Sequence, residues 1–271
     1  MRIGVAGLGL IGGSLALALH GTHDLTGFDV DRATRDAARA RGIRTVDALE
    51  ALLPADAVVV ATPLRAVLPT LAALAPRAGG AVVLDVSSVR TPVEGFVREH
   101  PDGARVVGMH PMAGRSASGF GMADARLLAG RSFLVVPTAS SDSEAVRVAG
   151  CIARDAGGVV TVCSAAEHDR IVAVTSALPL ALAAALAIAG ADATAQLAAF
   201  AGPGFRDATR LADTPPDLAE SLLAANAGNV VAALARLRAV LDELERAVAE
   251  RDAPAVRATL ERAASARALL G

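Results

Sequence analysis

The stretch Arg2-Ile-Gly-Val-Ala-Gly7-Leu-Gly9-Leu-Ile-Gly12-Gly13-Ser14 decides the fold. A short apolar run enters Gly-x-Gly-x-x-Gly and leaves into Leu- and Ala-rich sequence, so strand, tight turn and helix follow without a gap. Gly7 allows the turn, Gly9 lets the backbone approach a pyrophosphate, and Gly12 lets helix and strand pack closely. Leu10 and Ile11 belong to the first helical turn, whose free N–H groups suit an anion. A second strand, Leu25-Thr-Gly-Phe-Asp29, ends in an acid 22 residues after Gly7. A carboxylate there accepts the ribose 2′-OH of a dinucleotide and repels a 2′-phosphate, which favours NAD over NADP, although Arg32 lies close by. Thr62, at the end of the buried run Val58-Val-Val-Ala-Thr62, completes the candidate cofactor set.

The rest of the first 163 residues alternates β-rich and helical stretches. Ala81-Val-Val-Leu-Asp85 reads as a buried parallel strand, and Val106-Val-Gly-Met109, Ser132-Phe-Leu-Val-Val-Pro137 and Val159-Val-Thr-Val-Cys163 continue the sheet. Thr91-Pro92-Val-Glu94 reads as a capping box with proline at the first helical position, leaving Ser87 and Ser88 in the preceding loop. From Ser164 the β signals stop. Three or four helices are expected, broken at Gly202-Pro-Gly204, Thr214-Pro-Pro216 and Asp252-Ala-Pro254. Val230, Leu234, Leu237, Leu241, Leu244 and Val248 recur at helical spacing and predict a packing seam. The predicted architecture is an α/β Rossmann-type dinucleotide-binding domain, residues 1–163, followed by an all-α substrate and dimerisation domain, residues 164–271.

Composition narrows the chemistry. The 271 residues suffice for one large or two modest domains, and a net charge of −2 leaves no footprint for nucleic acid or an anionic membrane. Cys151 and Cys163 lack metal or redox spacing and read as small buried residues in a reducing compartment, so no metal site is expected. No charged and apolar leader precedes the first strand, which predicts a cytoplasmic protein. All 26 basic residues are arginine. Without lysine there is no Schiff base, no Walker-type phosphate loop and no lysine acid or base. Residues 171–190 carry no charge, yet they are built mainly of alanine, with Thr175, Ser176 and Pro179 inside and no basic or aromatic flank. They read as a buried helix covered by other helices or a second subunit.

The chemistry centres on His110-Pro-Met-Ala-Gly114, about a hundred residues past the glycine turn. A histidine beside a nicotinamide suggests proton transfer coupled to hydride transfer. This segment, with Ser118-Gly119, Asp85-x-x-Ser88, Glu167-His-Asp169, Thr175-Ser-x-Leu-Pro179 and Gly204-Phe-Arg-Asp-x-Thr-Arg210, resembles the prephenate/arogenate dehydrogenase family of tyrosine biosynthesis. The absence of lysine argues against the β-hydroxyacid dehydrogenases and ketopantoate reductases of similar layout. The resemblance implies an NAD-dependent oxidative decarboxylation of a cyclohexadienyl carboxylate and a homodimer formed through the helical domain. His110 would accept the proton of the substrate 4-hydroxyl, Ser88 would orient that hydroxyl or the imidazole, and Arg210 and Ser176 would bind the substrate. His168-Asp169 is expected to fix domain orientation, and Asp207 offers Arg210 an alternative ion pair. The chain departs from the family pattern at Ala177 and Leu180, where histidines are usual, at Ser116, where an acid is common, and at Ala219, where tryptophan is frequent. A 4-amino-4-deoxy analogue as substrate, a non-catalytic NAD-binding paralogue and an imine reductase are the alternatives. No alternating β and α signals follow the helices, so no regulatory amino-acid-binding domain is expected.

Overall fold

The computed structural model describes every residue except 102, 116, 117, 195, 270 and 271. The departure noted at Ser116 therefore lies outside the described residues. The chain divides into two compact units, Met1–Asn226 and Ala227–Gly271.

Eight strands of the first unit form one sheet in the order β3-β2-β1-β4-β5-β6-β7-β8. They are β1 (Arg2–Ala6), β2 (Asp24–Phe28), β3 (Arg44–Thr45), β4 (Ala57–Val60), β5 (Val82–Asp85), β6 (Arg105–Pro111), β7 (Ser132–Pro137) and β8 (Val159–Val162). Every neighbouring pair runs parallel except β6 and β7, which are antiparallel. The strand order reverses between β1 and β4, the place where open α/β sheets bind ligands beyond their C-terminal strand ends.

Both faces of the sheet are covered, which is why its central strands read as unbroken apolar runs. Along β4, Ala57 and Val59 join one core with Leu15 and Leu19 of α1 (Leu10–Leu19) and with Ala38 of α2 (Arg32–Ala40). Val58 and Val60 join the opposite core with Leu71 and Leu74 of α3 (Leu64–Leu74) and Phe96 of α4 (Thr91–Glu99). Helix α5 (Ser143–Asp155) adds Ala149 and Ile152 to the first core.

Helix α4 starts where expected, but not by the expected cap. Thr91 is its first residue, and no side chain of its own sequence caps it. The Thr91 hydroxyl instead donates to Asp169, whose carboxylate takes over the role.

After β8 the first unit is helical: α6 (Ala165–Val172), a π-helical turn (Ala173–Ala177), α7 (Leu178–Ala193), α8 (Leu197–Phe200), α9 (Pro203–Thr209) and α10 (Pro216–Ala225). The wide turn has a local cause, because Pro179 has no N–H to return to the carbonyl four residues back. With α11 (Ala227–Ala249) and α12 (Ala253–Ala268) of the second unit, seven helices stand among the described residues where three or four were expected. Apart from the wide turn before α7, the additional breaks fall at residues that are neither glycine nor proline. Thr194 is extended and accepts the Gln196 N–H on its hydroxyl, and Asn226 ends α10.

Within the second unit, α11 and α12 form a helical hairpin tied by Glu243, which accepts from Arg262 and Thr259. Of the predicted seam, Val230 is buried, Leu234, Leu237 and Leu244 are half-buried, and Leu241 and Val248 are exposed; the other buried residues of α11 are Ala233 and Ala247. In helix α7, Leu180 and Ala183 are the only residues buried within the chain and Ile188 is 63% exposed, so of the two expected covers the chain's own helices supply little. In the apolar helix Ala165–Ala193, the most apolar window is 28% buried within the chain.

Candidate active site

The glycine turn is built by steric necessity. Gly7 has φ +91°, and a Cβ there would stand 2.6 Å from the Ala61 carbonyl oxygen and 3.0 Å from the Thr62 nitrogen. A Cβ on Gly12 would stand 1.9 Å from the Gly7 oxygen, whereas one on Gly9 would meet nothing within 4 Å. Two glycines thus close the loop onto β4, and the third faces open space. Asp29 ties the loop from the side, its two carboxylate oxygens accepting the Leu8 N–H at 2.8 Å and the Asp31 N–H at 2.9 Å. Each oxygen keeps a further lone pair for a ribose hydroxyl. The Thr62 hydroxyl, beside Gly7, is buried and has no hydrogen-bond partner. The open face at Gly9, the helix N-terminus of α1 and this orphaned hydroxyl fit a dinucleotide. Arg32 leans toward Asp36, 3.6 Å away.

His110 stands near the C-terminal end of β6. Residues two apart on a strand share a face, so Val106, Gly108 and His110 point to the side covered by α4. The missing side chain at Gly108 makes room for Arg90, since a Cβ there would lie 2.5 Å from its guanidinium. Arg90 is buried and pairs with Asp85 at 2.8 Å. It also donates to the Asp85 carbonyl and to the Ser87 carbonyl and hydroxyl.

From the helical side, α6 brings two further groups. His110 Nδ1 lies 3.0 Å from His168 Nε2, and His168 Nδ1 lies 2.8 Å from Asp169 Oδ1. Asp169 also accepts the Arg90 N–H at 2.7 Å, the Thr91 N–H at 2.9 Å and the Thr91 hydroxyl at 2.5 Å. Burial would raise this carboxyl, but the bonds from His168, Thr91 and the Arg90 backbone outweigh it and hold its pKa at about 2. Burial pushes the His110 imidazole well below its ordinary value; His168 and Arg90 push the same way, against Asp169. The result is a neutral, half-buried imidazole anchored through a second histidine to an ionised carboxylate.

Two models of one family cover this scaffold in tandem. The prephenate dehydrogenase nucleotide-binding domain matches residues 14–162 and the prephenate dehydrogenase dimerization domain matches residues 164–262. The chain belongs to the prephenate dehydrogenase family. It is 30% identical over 262 residues to cyclohexadienyl dehydrogenase of Zymomonas mobilis, covering 93% of this chain and 89% of that one. It superimposes on Synechocystis arogenate dehydrogenase with a TM-score of 0.86, at 30% identity over 100% of both chains. On prephenate dehydrogenase from A. aeolicus, solved with hydroxyphenyl propionate and NAD+, the TM-score is 0.91 at 26% identity, covering 99% of this chain and 98% of that one.

The remaining predicted residues of this family member occupy three places. Ser88 follows β5, the parallel neighbour of β6, so it and His110 sit at adjacent strand ends. Among the described residues its hydroxyl has no partner, whereas Ser87 is fully engaged with Asp85, Val89 and Arg90. Ser176 lies in the π-helical turn, partly exposed. Arg210 begins a 3-10 turn against α7, exposed and forming no ion pair among the described residues; the alternative with Asp207 is not formed. Neither Ser176 nor Arg210 bonds to His110. Ala177 and Leu180 are buried, so the positions of the usual histidines are apolar. Sequence reasoning missed the Asp85–Arg90 pair and the space left at Gly108, and it gave His168 and Asp169 an orienting role without their link to His110. The adjacent Glu167-His-Asp169 at the head of an apolar helix was the available signal.

Proposed function

We propose that this chain is an NAD-dependent dehydrogenase that oxidatively decarboxylates prephenate or arogenate, giving 4-hydroxyphenylpyruvate or tyrosine. The observation that carries this reading is a neutral imidazole, His110, in the sheet whose switch point holds the glycine cradle. Gly7, Gly9, Leu10, Ile11 and Gly12 would hold the pyrophosphate, Asp29 the ribose and Thr62 a polar group at the cofactor edge. Bound NAD supplies the acceptor for one hydride from ring C4. His110 takes the 4-hydroxyl proton as the C4–H bond breaks, which prevents positive charge from building on the ring oxygen. The bond from the ring to its carboxylate then supplies the electron pair that aromatises the ring, and CO₂ leaves. His110 returns its proton to the ring oxygen, so the step balances without net proton release. Ser88 orients the 4-hydroxyl. Arg210, whose planar fork suits a carboxylate, binds the substrate with help from Ser176.

In this reading residues 1–163 hold the cofactor and residues 164–271 form the substrate and dimer half of a cytoplasmic homodimer. The thinly covered apolar helix Ala165–Ala193 supports a second copy as its cover. Its length and apolarity would also suit a membrane, but its first turns carry His168 and Asp169, both buried against β6 and α4. NADH absorbance with NAD and each of prephenate, arogenate and 4-amino-4-deoxyprephenate tests the assignment. Turnover of the first or second supports it. Turnover of the amino analogue alone moves the substrate, and none at all in a protein that binds NAD makes the chain a non-catalytic paralogue. Light scattering that finds a stable, active monomer at micromolar concentration removes the dimer.

A further inference from the structure

We infer that His168 is a positioning residue that fixes which nitrogen of His110 carries the proton, with Asp169 as the anchor that sets the direction of the whole chain. The inference rests on the reading of His110 as the base, and its geometry is already described: His110 Nδ1 to His168 Nε2 at 3.0 Å, and His168 Nδ1 to Asp169 Oδ1 at 2.8 Å. An ionised carboxylate can only accept hydrogen bonds. Asp169 is ionised, because its remaining contacts are N–H and O–H donors from Arg90 and Thr91. The His168 nitrogen facing it must therefore carry the hydrogen. We take His168 as neutral in the resting site, with one N–H, so its Nε2 is left as an acceptor. His110 Nδ1 must then be the donor across the 3.0 Å contact. This leaves His110 Nε2 with a bare lone pair, as a proton acceptor from substrate requires.

The second consequence concerns the charged state. When His110 Nε2 takes a proton, Nδ1–H remains a donor and its bond to His168 becomes charge-assisted, while His168 stays hydrogen-bonded to a carboxylate. No proton has to move along the chain. The charged and ionisable groups facing this pair are Asp169 on α6, Arg90 at the head of α4, and Asp85 on β5 through its pair with Arg90. Burial, His168 and Arg90 disfavour charge on His110 and Asp169 favours it. The arrangement keeps the resting imidazole neutral and gives its protonated form a fixed partner.

Asp169→Asn reverses the logic. With its amide nitrogen in the place of Oδ1, the variant gives up the Arg90 N–H and donates to His168 Nδ1, so His168 Nε2–H points at His110 Nδ1 and the only hydrogen of His110 moves to Nε2, where it blocks the base. Reversing a catalytic histidine in this way in serine proteases lowers kcat by about 10⁴-fold. Heteronuclear NMR of the histidine ring nitrogens in the free protein is the primary test, because it needs no turnover. The expected result is Nδ1–H on His110 in the wild type and Nε2–H in Asp169→Asn. A wild-type His110 in the Nε2–H form overturns the inference even if the enzyme turns over normally. Lack of turnover on every substrate, with the Nδ1–H form observed, overturns only the functional reading.

Because Asp169 also caps α4, a second pair of variants separates positioning from folding. His168→Gln retains an oxygen that can accept from His110 Nδ1–H, and His168→Leu retains none. We expect kcat to fall in the order wild type, Gln, Leu, with the Leu variant down on the order of 10²-fold or more and KM for NAD unchanged. The limb of the kcat pH profile assigned to His110 should move in the Leu variant. Equal kcat in the Gln and Leu variants, or an unmoved profile, makes His168 merely structural and overturns the inference.

Discussion

The two ends of the site are built by opposite strategies. The proposed cofactor end is local: Gly7, Gly9, Gly12 and Asp29 come from one β–α–β unit, and each would act through its own backbone or a carboxylate one strand away. The proposed proton-handling end is assembled from distant pieces, since His110 is on β6, His168 and Asp169 are on α6, Arg90 is at the head of α4 and Asp85 is on β5. A local device announces itself by spacing. A composite one exists only when the sheet and the helices after it are already in place, and its parts can be orphaned singly.

The comparison can be broken most severely at the composite end. His110→Ala should lower kcat on the order of 10²- to 10⁴-fold while NAD affinity stays at the wild-type level, because the two ends share no residue. Titration calorimetry with NAD and steady-state rates measure the two separately, and a near-wild-type kcat would sink the assignment. Next in size, Gly12→Ala should weaken NAD by about a hundredfold. Its Cβ would stand 1.9 Å from the Gly7 oxygen, and strain against backbone costs about 3 kcal/mol. Unchanged NAD affinity in a folded variant would mean that the loop does not carry the pyrophosphate.

Arg210→Gln should raise KM for the cyclohexadienyl acid by about tenfold to a hundredfold, the worth of a charged hydrogen bond, and leave NAD binding alone. An unmoved KM would assign Arg210 to the surface. Asp29→Ala sharpens the comparison at the local end. The carboxylate holds the Leu8 and Asp31 amides in addition to any ribose contact, so NAD should weaken by about tenfold and NADP by clearly less. Equal losses would show that Asp29 acts only by shaping the loop. The smallest effect is a displaced pH limb. Since the His110 imidazole is held well below its ordinary value, kcat/KM should stay level as pH falls through about 6.5 and drop only further into acid. A midpoint at the ordinary imidazole value would mean that His110 is not desolvated as described.

Legibility in the sequence followed the same division. The strand–turn–helix start, the acid at Asp29, the parallel strands and the loop position of Ser88 could be read because each depends on neighbours a few residues away. The histidine segment was legible as chemistry. Its supports were not: nothing near Gly108 in the sequence says that its missing side chain houses Arg90, and nothing near Thr91 says that its hydroxyl serves a carboxylate 78 residues on. The cap of α4 was assigned to Glu94 and Thr91 for that reason, since a capping box is a local rule and the structure uses a distant acceptor. The helix count fell short because the breaks at Thr194 and Asn226 lack the glycine and proline that sequence reading depends on.

Asp169, which closes one helix and steadies one base, gives acid two separate effects on this molecule. As pH falls below the ordinary imidazole value, an unfolded chain takes up the His110 proton while the folded one still resists it, so stability is given up until the folded imidazole also protonates and ceases to act as a base. The Asp169 contribution behaves differently: it is fully present above the usual carboxylate pKa of 3.8 and is lost only as pH approaches about 2. Above pH 3.8 the cap of α4 is therefore complete, and turnover lost between the ordinary imidazole value and that point should return on neutralisation without refolding.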